Sequence, residues 1–367
     1  MIIEVKAIDL LFFRDGKPFE KGGDMAWAES MLLPNYSTIY GAIRSAYFAE
    51  NLHEFKYVNT DKDPTLNLVI NGIYIYYKNE IRFPLPLDLV YCPKSLKQKK
   101  KDEGKGIFEV KKMKSKKFDD CYNSSIIENK IKEFFILNFE GNIEQKENLY
   151  LSFSEMQNYF SGKDSVFAED YITKNIYRED KIGIQKEDFN KSVQESMLYR
   201  IEQVRYNNFS LLINFDGIKI KENGFLRLGG QGNSVSYKEY SKDLMMFNIN
   251  SKLENINRVK IYLMSPAIFN QGWIPDFINK DTLEGVMDKK NVKLVSACVG
   301  KSINIGGFDM KNKKQKKLKK AVPPGSIYEF ELKEPLSNIE KIIEPIDLDS
   351  LNKNEGYGRG YIIYLKE

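Results

Sequence analysis

The chain has 367 residues, 42% hydrophobic and 29% charged, a size that exceeds one ordinary hydrophobic core and a composition that excludes a disordered chain. Its net charge of +5 conceals segregation: residues 94–117 hold eleven lysines against three acids, residues 311–320 hold seven lysines and no acid, and the remainder is acidic on balance. One histidine, His53, and three scattered cysteines, Cys92, Cys121 and Cys298, exclude mechanisms needing two imidazoles, a histidine-built metal centre, a Cys-x-x-Cys zinc site and a disulfide framework.

In chain order, residues 1–12 read as a buried strand followed by a turn at Asp15-Gly16. Glu4 and Lys6 sit where a signal peptide would be apolar, and no later apolar run reaches spanning length, so a cytoplasmic protein is expected. A loop with Gly22 and Gly23 leads to Pro34. Ser37 then suits the N-cap of a helix reaching about Leu52, with Ile39, Ile43, Ala46 and Tyr47 at helical spacing. Residues 66–70 and 73–77 read as strands joined by a tight turn at Asn71-Gly72, and Ile81-Arg82-Phe83 as a third strand ending at Pro84. A strand, a helix and a strand pair open a ferredoxin-like unit. The lysine-rich stretch 94–117 reads as an insertion, either a mobile loop or an extended hairpin. Residues 123–200 read as mostly helical with polar breaks, 207–217 as a strand, and 225–228, 259–264, 294–299, 327–332 and 361–365 as short strands. The expected class is α+β in two domains, 1–205 and 206–367, without a visible internal repeat.

Catalytic motifs are missing. There is no phosphate-binding Gly-x-x-x-x-Gly-Lys-Ser/Thr loop, and the acidic pairs Asp119-Asp120, Glu169-Asp170 and Glu179-Asp180 read as solvated charges, so no catalytic residue, metal or cofactor is expected. Glycine-containing loops set among basic and aromatic residues are more informative: Arg14-Asp15-Gly16-Lys17, Lys21-Gly22-Gly23, Arg227-Leu228-Gly229-Gly230-Gln231-Gly232-Asn233, Asn270-Gln271-Gly272-Trp273, Gly306-Gly307 and Gly356-Tyr357-Gly358-Arg359-Gly360. Glycine lets backbone N–H groups approach a phosphate, neighbouring cations neutralise it, and aromatic rings stack on unpaired bases, a combination suited to single-stranded RNA. The two lysine runs read either as further phosphate contacts or as solvated loops.

Several stretches go beyond composition. Asp9-Leu10-Leu11-Phe12-Phe13-Arg14-Asp15-Gly16-Lys17-Pro18-Phe19, then Leu33-Pro34-Asn35-Tyr36-Ser37-Thr38-Ile39-Tyr40-Gly41-Ala42-Ile43-Arg44, resemble the opening of the Cmr subunit 3 family, part of the RAMP superfamily of CRISPR proteins. Ser265-Pro266-Ala267-Ile268-Phe269 with Gly272-Trp273-Ile274-Pro275, then Lys293 to Gly300, Gly306-Gly307-Phe308 and Ala321-Val322-Pro323-Pro324-Gly325-Ser326-Ile327-Tyr328, continue the resemblance in order. Residues 85–200 match loosely, through Tyr177-Arg178-Glu179-Asp180-Lys181-Ile182-Gly183-Ile184 and Leu198-Tyr199-Arg200. Phe308 departs from the family's common tryptophan, and Gly230-Gln231-Gly232 from its common acid after the glycine pair.

The resemblance implies two ferredoxin-like (RRM-like, RAMP) domains with glycine-rich loops and inserted hairpins. It also implies a non-catalytic subunit of the type III-B (Cmr) effector that holds the 5′ repeat-derived tag of the CRISPR RNA. Such a subunit bridges the large polymerase- or cyclase-like subunit to the backbone subunits and meets target RNA indirectly.

The RNA-contact candidates are Arg14 and Lys17 at a turn, Tyr40 and Arg44 one helical turn apart, Arg178, Lys181 and Arg200, the loop residues Arg227, Gly229, Gly230, Gln231 and Asn233, then Asn270, Gln271 and Trp273, and Arg359. Each has a plain structural alternative: a core tyrosine, a surface ion pair, a packed tryptophan. Two other functions stay open: a RAMP endoribonuclease using His53 as general acid or base, and a protein-only scaffold.

Overall fold

The computed structural model describes residues 1–14, 27–117, 131, 133–137, 139, 141–186, 193–242, 244, 247, 250–309, 314–337, 339–341, 343–348 and 350–365. The chain forms two compact units, each assembled from three segments: 1–78, 172–241 and 304–319 in the first, and 79–171, 242–303 and 320–367 in the second. A single boundary at 205/206 would sever a sheet, because Phe209–Asp216 pairs with the N-terminal strand Ile2–Ala7.

The first unit is built on five antiparallel strands in the order Asn223–Arg227, Ser234–Glu239, Ile2–Ala7, Phe209–Asp216, Val69–Tyr77. Alternation explains the N-terminal strand: Ile3 and Val5 are buried, while Ile2 and Glu4 are only partly covered. Helix α1, Tyr36–Glu50, buries Ile39, Ala42, Ile43 and Ala46, a single stripe at helical spacing. Its N-cap is Asn35, whose side chain makes no capping bond; the expected cap, Ser37, lies inside the helix with its hydroxyl buried and unpaired among the described residues.

The expected Asn71-Gly72 turn lies within the strand Val69–Tyr77. Asn214 pairs with Gly72 and Phe215 with Ile70, so Asn71 is the extra residue of a bulge, and its amide donates to Asp216 Oδ2 at 2.6 Å. The turn comes later, at Lys78 and Asn79, whose φ values of 51° and 62° are left-handed. A long hairpin, Ile176–Lys186 with Val193–Tyr206, adds the short parallel strand Trp27–Ala28 to make a separate three-stranded sheet.

The second unit contains an antiparallel run Glu80–Pro84, Leu149–Leu151, Ser165–Asp170, Ile107–Lys112, Leu89–Tyr91. It also contains an antiparallel six-stranded sheet ordered Glu284–Met287, Lys290–Cys298, Ile327–Leu336, Ile256–Leu263, Arg359–Leu365, Ile343–Asp347. The expected strands in the second half of the chain are thus present. Residues 123–200 differ from expectation: among the described residues only Phe153–Phe160 and Ile172–Asn175 are helical. The rest is mainly strand, as the alternation of buried Val166 and Ala168 with exposed Phe167 illustrates.

The lysine-rich stretch is ordered rather than a loop or a lone hairpin. Ser95 caps helix α2, Leu96–Lys105, by accepting from the Gln98 amide at 3.2 Å, and Gly106 ends it with a left-handed φ of 64°. The chain then enters the sheet as Ile107–Lys112.

The two units share a topology that no sequence periodicity betrayed. In each, the four central strands stand in the order second, third, first, last along the chain, and a short edge strand makes a hairpin with the last. Among the described residues, no helix is long and apolar enough to cross a membrane.

Candidate nucleic-acid interface

In the first unit, residues 11–14 form a strap. Leu11 and Val204 exchange backbone hydrogen bonds of 2.8 Å, Phe13 N–H donates to Ser30 Oγ at 2.9 Å, and the Phe12 carbonyl accepts from Gly230 N–H at 2.8 Å. The strap therefore ties the glycine loop, the long hairpin and the Ser30 region to one stretch of backbone, and Arg14 at its end is exposed.

The loop 228–233 closes the hairpin of the two outer strands through Leu228 N–H to Asn233 O at 3.0 Å. Gly229 has φ +85°, and a Cβ there would lie 2.4 Å from the Phe12 carbonyl oxygen, so only glycine fits. Because Gly230 N–H already serves Phe12, it is not a phosphate donor; Gln231, Gly232 and Arg227 are exposed. Asn233 keeps its side-chain nitrogen buried and unpaired among the described residues.

The hairpin sheet has two unlike faces. Phe12, Ala28 and Ile201 are buried together, with Tyr199 packed on them. Elsewhere on this sheet Trp27 is 48% exposed with the Arg200 guanidinium 4.8 Å from its ring centroid, and Ile182, directly opposite Arg200 in register, is 72% exposed. Arg200 is ion-paired diagonally across the strands with Asp180, and Arg178 with Glu202, while Arg178 also reaches Ser30 O at 3.4 Å. The hydrogen bond from Arg200 holds the Asp180 carboxyl below its ordinary range and raises the guanidinium in turn. Lys181 is exposed. Arg205, which the sequence reading did not single out, pairs with Glu179 and approaches Asp9 at 3.9 Å.

The structure thus brings Arg14, Arg178, Lys181, Arg200, Arg227, Gly229, Gly230, Gln231 and Asn233 onto one unit, on elements joined by the strap. Trp27 was missed, and the only available signal was a tryptophan beside the glycine-rich stretch. Lys17 lies outside the described residues.

Tyr40 and Arg44 are engaged internally. Arg44 donates to Thr65 Oγ1 at 2.7 Å and Asp63 Oδ2 at 2.6 Å, with its guanidinium carbon 5.9 Å from the Tyr40 ring centroid. Burial pushes the Asp63 carboxyl up, but hydrogen bonds from Thr65 and the Asn59 backbone, with the Arg44 charge, bring it below the ordinary value.

The candidates in the second unit also have structural partners. Asn270 bonds Asp276 through backbone and side chain at 2.9 and 3.0 Å, and Gln271 donates to Ile278 O at 2.9 Å. Trp273 packs on the core in a parallel stack with Tyr328, and Arg359 lies 2.5 Å from Asp347. His53 is 79% exposed on a short 3-10 turn, its Nε2 3.8 Å from Glu54. Cys298 donates to Leu87 O, and burial pushes its thiol up to about 12, which leaves it unreactive as a nucleophile.

The family described as CRISPR-associated protein (Cas_Cmr3) matches residues 3–366. No curated protein matches the sequence. Among solved structures, a chain of the Type III-B Cmr-beta bound to cognate target RNA, determined by cryo-EM, aligns at 17% identity and a TM-score of 0.50, covering 90% of this chain and 86% of that one. The same assembly with target RNA and AMPPnP, state 1, gives 17% and 0.46 over the same shares. A Csm3-Csm4 subcomplex of the type III-A interference complex gives 16% and 0.35, covering 100% of this chain and 99% of that one.

Proposed function

This chain belongs to the Cmr3 family of CRISPR-associated proteins, and from that premise we propose that it is a non-catalytic, cytoplasmic RNA-binding subunit of a type III-B (Cmr) effector complex. Its ligand is the 5′ repeat-derived tag of the CRISPR RNA. Its neighbours are the large polymerase- or cyclase-like subunit and the backbone subunit, and it meets target RNA only through the guide. Each unit is a variant of the ferredoxin-like, RRM-like RAMP fold. The shared strand order supports this, with an edge strand at the point in the chain where the second helix of that fold would come; in the second unit the described residues between Ile256–Leu263 and Lys290–Cys298 hold no helix either.

One observation carries the RNA assignment: the strap 11–14 is hydrogen-bonded to both the loop 228–233 and the hairpin strand Val193–Tyr206, and these elements, with the neighbouring strand Trp27–Ala28, carry guanidinium groups, a glycine turn and an exposed indole. Those are the elements of single-strand recognition: cations for phosphate, a backbone that permits close approach, and a ring for stacking. The arginines are held in place by carboxylates, so phosphate binding exchanges one anion for another.

The test is a gel-shift series on the full chain, alone and with its large partner subunit, using guide RNA with a native or scrambled tag, each sample repeated on a denaturing gel. Tag-dependent retention of intact RNA is expected, weakened by Trp27→Ala combined with Arg200→Gln. Discrete cleavage abolished by His53→Ala would instead establish an endoribonuclease, and retention indifferent to both substitutions and tag would remove the assigned surface.

A further inference from the structure

Helix α2 carries its charges unevenly. Asp102 accepts from the Tyr91 hydroxyl at 2.9 Å, and Glu103 pairs with Lys146 at 2.6 Å. Lys99 and Lys146 both pair with Glu144, at 2.6 and 3.6 Å, and Glu144 is itself held to Tyr91 by two backbone hydrogen bonds. Both acids of the helix are thereby committed to its own unit. Lys97, Lys100 and Lys101 are exposed and, among the described residues, have no carboxylate partner.

That arrangement is locally unfavourable. No acid occupies the first turn, and Lys97 places a positive charge there, against the helix dipole. Lys97 also lies three and four residues from Lys100 and Lys101, the spacing at which like charges on a helix repel. A solvated surface helix gains from interspersed signs; here both acids are already engaged, Asp102 with Tyr91 and Glu103 with Lys146. Among the described residues nothing supplies the missing counter-charge.

We infer that the outer face of α2 is a second RNA contact, one that takes the phosphate backbone without reading sequence and is separate from the tag site. Lysine is a strongly hydrated point charge suited to phosphate, whereas protein–protein interfaces are depleted in lysine and enriched in aromatic residues and arginine. The face has no arginine and no aromatic ring, so its chemistry fits a polyanion better than an acidic protein surface. The side-chain clamp on Tyr91, Glu144 and Lys146, with caps at Ser95 and Gly106, holds the three ammonium groups on a fixed frame, Lys97 and Lys101 about 6 Å apart along the axis.

This inference rests on the proposed RNA-binding role, and the test separates the two. The full chain and its Lys97→Gln/Lys100→Gln/Lys101→Gln variant are titrated with native-tag and scrambled-tag guide RNA across salt concentration, with thermal unfolding as a control. Glutamine retains helix propensity and relieves the repulsion, so the variant is expected to melt no lower than the parent. The slope of log affinity against log salt is expected to fall by about 2, from three phosphate contacts on a single strand. Affinity should drop equally for both RNAs, leaving the native-to-scrambled ratio unchanged.

An unaltered slope, a ratio that collapses in the variant, or unaltered RNA binding with loss of a partner subunit would each overturn the inference. A parent chain that binds both RNAs alike would defeat the tag assignment while leaving the slope comparison readable.

Discussion

Gly229 and Gly232 sit in the same loop, both with positive φ, yet only Gly229 would drive a Cβ into backbone. Gly229→Ala is therefore expected to destabilise the chain by about 1–3 kcal/mol in denaturant unfolding, and Gly232→Ala by less. Equal losses would mean that the contact with Phe12 does not matter. At Arg44, Arg44→Met strands the buried Asp63 carboxylate and is expected to cost about 3 kcal/mol of stability while leaving RNA affinity of the folded protein unchanged. A selective loss of RNA binding would return Arg44 to the interface.

Lys112 gives a prediction with a sign. Burial, and next the nearby Lys260, lower its ammonium to about 8; its Nζ lies 4.7 Å from the Tyr159 ring centroid. Lys260, fully buried, pairs with Asp88 at 2.9 Å and Glu329 at 3.0 Å, and those two carboxylates also attract Lys112. In the unfolded chain a lysine titrates near 10.4, so between pH 8 and 10 the unfolded state binds more protons and stability from this group rises with pH. Melting curves at pH 7.5 and 9.5 should show a gain in the parent, on the order of 1–2 kcal/mol, that Lys112→Met lacks. The same pH dependence in both would place the titration elsewhere.

Among elements, strands with clean alternation were legible, as were those of the second half, because burial on one face imposes a period of two. The Asn71-Gly72 pair misled because the dipeptide that favours a tight turn also suits a bulge, and the choice depends on the strand that arrives from residues 209–216. The hairpin 176–206 was hidden by its own ion pairs, since cross-strand Arg and Glu residues mimic the polar face of a helix until the pairing is known. The same pairs make a prediction. Asp180→Asn removes the carboxylate competing for Arg200 and is expected to raise RNA affinity several-fold, read by gel shift; a fall would mean that Asp180 orients Arg200 for the RNA.

For the whole molecule, the boundary was unreadable because each unit takes segments from three places, and only strand pairing reveals that residues 209–239 belong with residues 2–7. Length implied more than one core, and the family resemblance implied the class of ligand. Neither distinguished glycine loops that hold backbone together from those that face outward. Of the candidates, Asn270, Gln271, Trp273 and Arg359 turned out bonded within their own unit, as did Tyr40 and Arg44, while the other described candidates of the first unit lie on elements joined by the strap. The most direct test is photo-cross-linking of guide RNA, labelled within its 5′ tag, to the assembled complex, followed by peptide mapping of this chain. Cross-links concentrated in residues 11–14, 27–30, 198–206 and 227–234 are the expected result; cross-links confined to residues 270–273 and 356–360, or none to this chain, would contradict it.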